Sequence, residues 1–465
     1  MSPTEATGLQ LASEHRRQLT SRPLSTDKEA NQNSSTMNSQ RLLKEYFVSE
    51  STGFLPHASP LRQLSDAYYA PWEDAIRALP ERIATGTVHA TVEALPILQT
   101  AFLQTERQWQ RAYVVLAFLT QAYVWSGKGP RDTLPPQLAI PLTEVAAHHD
   151  LPPIATYASL ILWNFAFQSP LCDMTEPTNL RSLHTMTGLK DEEWFYLISV
   201  ALESRGGPII KELLRCIDAT ACGDEETLVD SLAQTTMNVK SISMLLERMY
   251  ERCDPQTYYH DVRPLLAGTK GMASLGLPKG VFFDMGDGEG EWHQYSGGSN
   301  GQSSLIQLLD IALGIEHHAT GAHRGRSVDA GVKSKANPYM ADMRNYMPGP
   351  HRRFLAYVEE NTKVRAYCIS KEASESVKAA YNETVEALSK FRDIHIQIVT
   401  RYIITPSRSP PATHVLRKEA VGLAAASRRA SPEGGKVPQL YGTGGTDLLP
   451  FLKQTRDETK SAESE

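Results

Sequence analysis

From His351 to Thr405 the chain contains neither glycine nor proline, and no other stretch limits the possible folds as strongly. Without residues that break or kink a helix, it predicts two helices, the longer from about Lys371 to Ile404, with Pro406 ending it. Along that longer helix Val385, Leu388, Phe391, Ile398 or Val399, and Tyr402 recur at helical spacing and define a buried stripe. Similar periodicity runs through most of the chain from about residue 60. Leu95, Leu98 and Phe102 form one group, with Pro96 suited to a first helical turn, and Tyr113, Leu116, Ala117 and Thr120 form another. No period-2 alternation is sustained, so strands should be scarce. The expected fold class is all-α, a two-domain helical protein with a small N-terminal and a large C-terminal domain.

Residues 1–40 are rich in Ser, Thr, Gln and Arg and lack the apolar residues to bury a core, so they read as a disordered tail. A small helical domain is expected over 41–135. It closes in the Pro- and Gly-rich stretch GKGPRDTLPP (127–136), which is the best domain boundary, and 136–150 then connects the two parts. The large domain spans 151–455 and opens with a helix restarting near Pro153 in LPPIATYASLILWNF. Within it, Gly286 to Gly301 reads as a long glycine-rich loop, 407–440 as a mobile loop, and 456–465 follows as a second tail.

The net charge is −6, from 47 basic and 53 acidic residues without a long block of one sign, and nothing suggests a nucleic-acid or lipid surface. The five cysteines, Cys172, Cys216, Cys222, Cys253 and Cys368, are odd in number and have no CxxC spacing. A disulfide framework or structural zinc site is therefore not expected, and they read as small buried hydrophobes in a reducing compartment. The N-terminus has no apolar core of a secretory signal, and the longest apolar run, Tyr113 to Trp125, is too short to span a bilayer. A cytoplasmic protein is expected.

His395 lies on the buried stripe of the long helix. Such a histidine is either a core residue held by a hydrogen bond or a ligand to a metal or haem iron. Arg392 is one turn earlier on the same face, and is either solvated or placed to neutralise an acidic group beside that histidine. Phe195 and Ser199, four apart in a helix expected over Asp191 to Glu203, offer an aromatic face beside a small hydroxyl, which fits a flat apolar ligand or ordinary helix packing. Arg263 precedes Pro264, which predicts a kink or helix end there. A guanidinium at such a break can clamp a carboxylate or form a structural ion pair. The loops GGSNGQSS (297–304) and GTGGTD (442–447) let backbone approach a ligand, but neither continues as a phosphate loop. EHHATGAH (316–323) gathers Glu316, His317, His318 and His323 without HExxH spacing, and reads as an exposed loop rather than a metal site.

Taken together, LPPQLAIP (134–141), LPPIATYA (151–158), YSGGSNGQSSLIQLLDIALGIEHH (295–318), MRNYMPGPHRRFL (343–355), HIQIVTRYII (395–404) and GTGGTDLLPFLK (442–453) resemble the indoleamine 2,3-dioxygenase family, and its fungal branch in particular. The resemblance covers about residues 45 to 455. It implies an all-helical protein whose large domain encloses haem b, with His395 as the proximal iron ligand and Arg392 beside a propionate. It further implies that Tyr157, Phe195, Ser199, Gly298 and Ser299 line the distal pocket, that Arg263 engages the tryptophan carboxylate, and that Thr443 closes over the substrate near its ammonium group. The implied reaction puts both atoms of O2 across the indole C2–C3 bond of L-tryptophan and yields N-formyl-L-kynurenine, the first step of the kynurenine route towards NAD. An electron donor would keep the iron ferrous, and a monomer is expected.

The pattern departs from the mammalian members at Tyr258 and Tyr259, where they carry phenylalanines, at Tyr196, again a phenylalanine there, and at Asn300, which replaces a small residue in the pocket loop. Tyr258 is expected at the substrate and Asn300 at the cofactor. Added hydroxyls need partners in an apolar site or they cost affinity. These departures motivate an alternative function, a haem- and O2-binding relative with very weak tryptophan activity.

Overall fold

The computed structural model describes residues 41–169, 173–319, 337–416, 442 and 448–463. The tail 1–40, Cys172, His323, most of the 407–440 loop and Thr443 lie outside the described residues. Residues Leu43–Glu465 cluster into one unit, and its regular structure is overwhelmingly helical.

At its centre is helix α1 (Glu106–Trp125). Thr105 caps it, accepting from Gln108 N while the Gln108 side chain returns to the Thr105 backbone N–H. Every residue from Arg111 to Trp125 is buried, as expected of a helix that is mostly apolar all round. Arg111 is tolerated there because Glu73 meets it with both carboxylate oxygens, at 3.0 and 2.5 Å. Helix α2 (Pro136–His148), in the segment expected to connect two parts, packs on α1. Helices α3 (Lys190–Ser204), α4 (Gly206–Cys222) and α5 (Glu225–Glu247) follow, with α5 laid against both α3 and α4. Helix α6 (Ser304–Ala312) packs on α7 (Gly349–Asn361). The long helix α8 (Glu375–Val399), capped by Ser374, buries Val385, Leu388, Phe391, Ile398 and Val399. It lies between α5 and the C-terminal helix α9 (Leu448–Lys460).

Several expectations change. Residues 95–99 are not helical, and only a 3-10 turn forms at Thr100–Phe102; three apolar residues at the right spacing do not nucleate a helix, and Phe102 is left 47% exposed. The helix near Pro153 is absent: extended chain leads into a single π turn at Ala158–Leu162, and then strand β2 (Phe165–Phe167) pairs antiparallel with β3 (Leu180–Ser182). The GKGPRDTLPP loop holds β1 (Thr133–Leu134), which pairs with β4 (Val281–Asp284), and the glycine-rich loop holds β5 (Gly290–His293), the hairpin partner of β4. His351 to Thr405 forms three helices, because a short one at Val364–Cys368 intervenes. Pro406 does not end the last of them abruptly; α8 passes into a π turn at Thr400–Ile404 and a final turn at Thr405–Ser407. A π turn shifts the hydrogen-bond register, and proline has no N–H to lose there. Cys216, Cys253 and Cys368 are buried as expected, but Cys222 is exposed.

Candidate cofactor and substrate site

Three π turns face one cavity: Ala158–Leu162, Tyr258–Val262 and Thr400–Ile404. Leu160 and Ile161 come from the first, Tyr258 from the second, and Tyr402 and Ile403 from the third. The cavity is mostly apolar and opens to solvent at its mouth. Tyr157, Phe195, Ser199, Arg263, Gly298, Ser299, Asn300, Arg392 and His395 all line it. The structure thus gathers every described site residue expected from the sequence.

The wall is fixed from behind. Gln302 donates to the Gly297 carbonyl at 2.9 Å and accepts from Tyr157 N at 2.9 Å, tying the glycine loop to the first π turn. A side chain at position 298 would put its Cβ 2.3 Å from Leu160 Cδ1 and push that methyl out of its place in the wall. Phe195 packs its ring 5.0 Å from Tyr258, and Ser199 Oγ turns back to the Phe195 carbonyl at 3.3 Å. Asn300 opens the 3-10 turn Asn300–Gln302.

Arg263 is 1% exposed, and its guanidinium lies 5.5 Å from the centre of the Tyr259 ring. The expected break before Pro264 takes a particular form. Arg263 keeps right-handed helical geometry and starts a 3-10 turn directly after the π turn, so the register changes at this residue. Burial pulls its pKa down, partly offset by Tyr259 and Tyr258. Tyr259 and Tyr196 stand behind the wall rather than in it. The Tyr196 hydroxyl donates to Glu192 Oε1 at 2.8 Å, so that departure costs no unmet hydrogen bond.

No described residue hydrogen-bonds the His395 ring. Burial, and after it the charge of Arg392, push its pKa down to about 4, which leaves a neutral imidazole with a bare nitrogen at the cavity at pH 7. Arg392 gives Nη2 to Asp310 Oδ1 at 2.5 Å, while its Nε is buried with no hydrogen-bond partner among the described residues. A neutral imidazole with an open nitrogen, a guanidinium with a donor to spare, and an apolar wall fit a haem with its iron at His395 and a propionate at Arg392.

Other clusters do not compete for this role. Glu106 reaches His148 Nε2 at 2.9 Å and His149 Nδ1 at 3.2 Å, bringing three potential metal ligands together away from the cavity. A metal on Nδ1 of His149 would force its proton onto Nε2, which is buried without an acceptor among the described residues, so the cluster reads as two rings set against the Glu106 carboxylate. The described part of EHHATGAH, residues 316–319, departs from the exposed loop expected from its polarity: the His317 side chain is 6% exposed and is held by Asp310 and Glu458.

Sequence reasoning missed Glu203. It lines the cavity at 1% exposure and accepts from Ser303 Oγ at 2.6 Å and Tyr157 OH at 3.1 Å. It lies one turn beyond Ser199 on the face already marked by Phe195, so extending that stripe would have found it. Burial pushes its carboxyl up to about 7. Because this folded-state pKa is raised, the stability linked to it is complete below about pH 4.5 and is lost as pH rises through 7, by roughly 3 kcal/mol at most. Glu203→Gln should therefore flatten the fall of Tm between pH 5 and pH 8 in thermal scans. An unchanged slope would show that the carboxyl does not titrate there.

A neutral histidine at an apolar cavity in a helical protein is an arrangement able to hold a flat prosthetic group. Comparison with known proteins makes that specific. The indoleamine 2,3-dioxygenase family profile matches residues 42–462. An indoleamine 2,3-dioxygenase of Penicillium citrinum is 40% identical over 428 residues, covering 90% of this chain and 88% of that protein. A 6-hydroxytryptophan 2,3-dioxygenase of Fusarium equiseti is 38% identical, covering 90% and 96%, and indoleamine 2,3-dioxygenase 1 of Rattus norvegicus is 35% identical, covering 91% and 96%. The chain belongs to the indoleamine 2,3-dioxygenase family, the haem dioxygenases of tryptophan catabolism. Among the described residues, no helix is long and apolar enough to cross a membrane.

Proposed function

We propose that this chain cleaves the indole C2–C3 bond of L-tryptophan with O2, giving N-formyl-L-kynurenine as the first step of the kynurenine route towards NAD. Bound haem b supplies the oxygen and redox chemistry. The observation that carries the reading is one apolar cavity bringing together the open imidazole of His395 and the buried guanidinium of Arg263.

The protein's part is placement. His395 holds the iron and Arg392 meets a propionate with its spare donor. Arg263 fixes the substrate carboxylate through two parallel hydrogen bonds. Phe195, Tyr157 and Tyr258 frame the indole, while Ser199, Gly298, Ser299 and Asn300 shape the wall around it. Thr443 closes over the ammonium end and keeps water out. We read the protein as a cytoplasmic monomer served by an electron donor, with a small domain over 41–135 and the catalytic domain over 151–455.

The test is to add L-tryptophan and air to the reduced, haem-loaded protein and follow N-formylkynurenine by absorbance. Product accumulating with O2 consumed one for one is expected. A haem spectrum that persists with no product would overturn the reading in favour of an oxygen binder. Because the Fusarium relative is named for 6-hydroxytryptophan, that compound belongs in the same assay, with L-tryptophan expected to give the higher kcat/KM.

A further inference from the structure

The helix α9 supplies Leu448, Phe451, Leu452 and Thr455 to the cavity wall. Contacts with other elements hold it there. Part of the hold is apolar: Phe451 sets its ring 4.8 Å from Tyr339. The rest is ionic. Arg456 pairs with Asp393 on α8, and Glu458 reaches His317, just beyond α6.

His317 is the unusual member. Its Nδ1 lies 2.9 Å from Glu458 Oε2 and its Nε2 lies 3.2 Å from Asp310 Oδ2. Asp310 is the residue that holds Arg392 at the haem edge. Side-chain exposures of 6% for His317, 5% for Asp310 and 16% for Glu458 put the group largely out of water. A neutral ring hydrogen-bonded to Glu458 through its Nδ1–H would turn its Nε2 lone pair towards the Asp310 carboxylate; the imidazolium instead sets positive charge against both carboxylates, the Asp310 contact being an ion pair rather than an aligned hydrogen bond. Charge counting agrees: Arg392 and His317 balance Asp310 and Glu458 only when His317 is protonated. Nearby polar groups do not replace it. His318 gives its backbone N–H to Glu458 at 3.1 Å and sets its Nδ1 at 3.2 Å, and Gln454 donates to the same oxygen at 2.9 Å, but neither reaches Asp310.

We propose that His317, as an imidazolium, is a positioning residue that ties α9 over the cavity to the Asp310–Arg392 pair at the haem edge. The part concerning haem rests on the function proposed above; the tie between α9 and α6 does not. Burial alone would favour the neutral ring, but the two carboxylates outweigh it and leave the pKa raised. Burial likewise opposes ionisation of Asp310 and Glu458; Arg392 and His317 outweigh it at Asp310, and His317 with the hydrogen bonds from Gln454 and the His318 N–H outweighs it at Glu458, leaving both lowered. The tie is therefore complete below the ordinary pKa of histidine while both carboxylates stay ionised. It is lost as pH rises through the raised value of His317.

The test is hydrogen–deuterium exchange of residues 448–460 at pH 6 and pH 9, corrected for intrinsic rates, in the wild-type, His317→Gln and His317→Lys proteins. Wild-type protection should fall by about tenfold or more at pH 9. It should be low at both pH values in His317→Gln, and be kept at both in His317→Lys, whose cation does not titrate in that range. Equal protection in wild type at the two pH values, or wild-type-like protection in His317→Gln, would overturn the tie. Haem transfer to apomyoglobin from the loaded proteins tests the link to Arg392. Release should quicken about tenfold in His317→Gln at pH 6, and an unchanged rate with altered exchange would confine His317 to holding α9. Absence of any haem band in wild type would sink the functional reading and leave the exchange result standing.

Discussion

His395→Ala should lose the Soret band and all tryptophan turnover while keeping the helical circular-dichroism spectrum. The ring lines the cavity and hydrogen-bonds no described residue, so its removal breaks no hydrogen bond of the described fold and should change stability by about 1 kcal/mol, a loss of packing only. What it removes is the nitrogen proposed to hold the iron. A bond worth even about 3 kcal/mol is a factor of more than about 100 in retention of the cofactor. Free imidazole should partly restore the spectrum by entering the space that the ring leaves. Measuring haem content per chain checks this directly, and full occupancy in the variant would show that the iron is held elsewhere.

The second large effect belongs to Arg263→Ala, for which kcat/KM for L-tryptophan should fall by about 100- to 1000-fold, roughly 3 to 4 kcal/mol of transition-state stabilisation. The guanidinium is buried in the cavity wall, so a carboxylate meeting it would do so out of water, where a charge-assisted pair is strongest. Arg263→Lys should rescue little, since a single ammonium does not reproduce the planar fork. Tryptamine, which lacks the carboxylate, separates recognition from general damage to the site. Its turnover, however slow, should be about the same in wild type and Arg263→Ala, and an equal loss for both substrates would assign Arg263 to the architecture of the wall instead.

Sequence alone carried the helical frame and the site surprisingly unevenly, and the reasons are physical. α8 was legible because its stripe repeats over many turns with nothing to interrupt it, and the register placed His395 on the buried face without further information. Phe195 and Ser199 emerged from spacing within one helix, whereas their convergence with Arg263, Gly298 and His395 depends on contacts between distant segments, which periodicity does not encode; only the family resemblance supplied it. The short β pairs were invisible because two to four residues hold no period. No helix forms near Pro153 because a proline followed by apolar residues does not distinguish a helix from extended chain passing through the core. His317 looked like part of a polar surface loop, since nothing local reveals that Asp310 and Glu458, from different helices, close around it.

The three π turns around the cavity have a consequence for how such a pocket can be remodelled. Each holds one residue more than an α turn over the same rise, and so amounts to a single-residue insertion absorbed by the helix. Deleting one residue from any of them would restore the α register and swing the side chains beyond it by about 100°. In Tyr258–Val262 that rotation would carry Arg263 off the wall; in Ala158–Leu162 it would break the crossing with Gly298. Point substitutions trim this cavity, but a change in chain length of one residue redraws it.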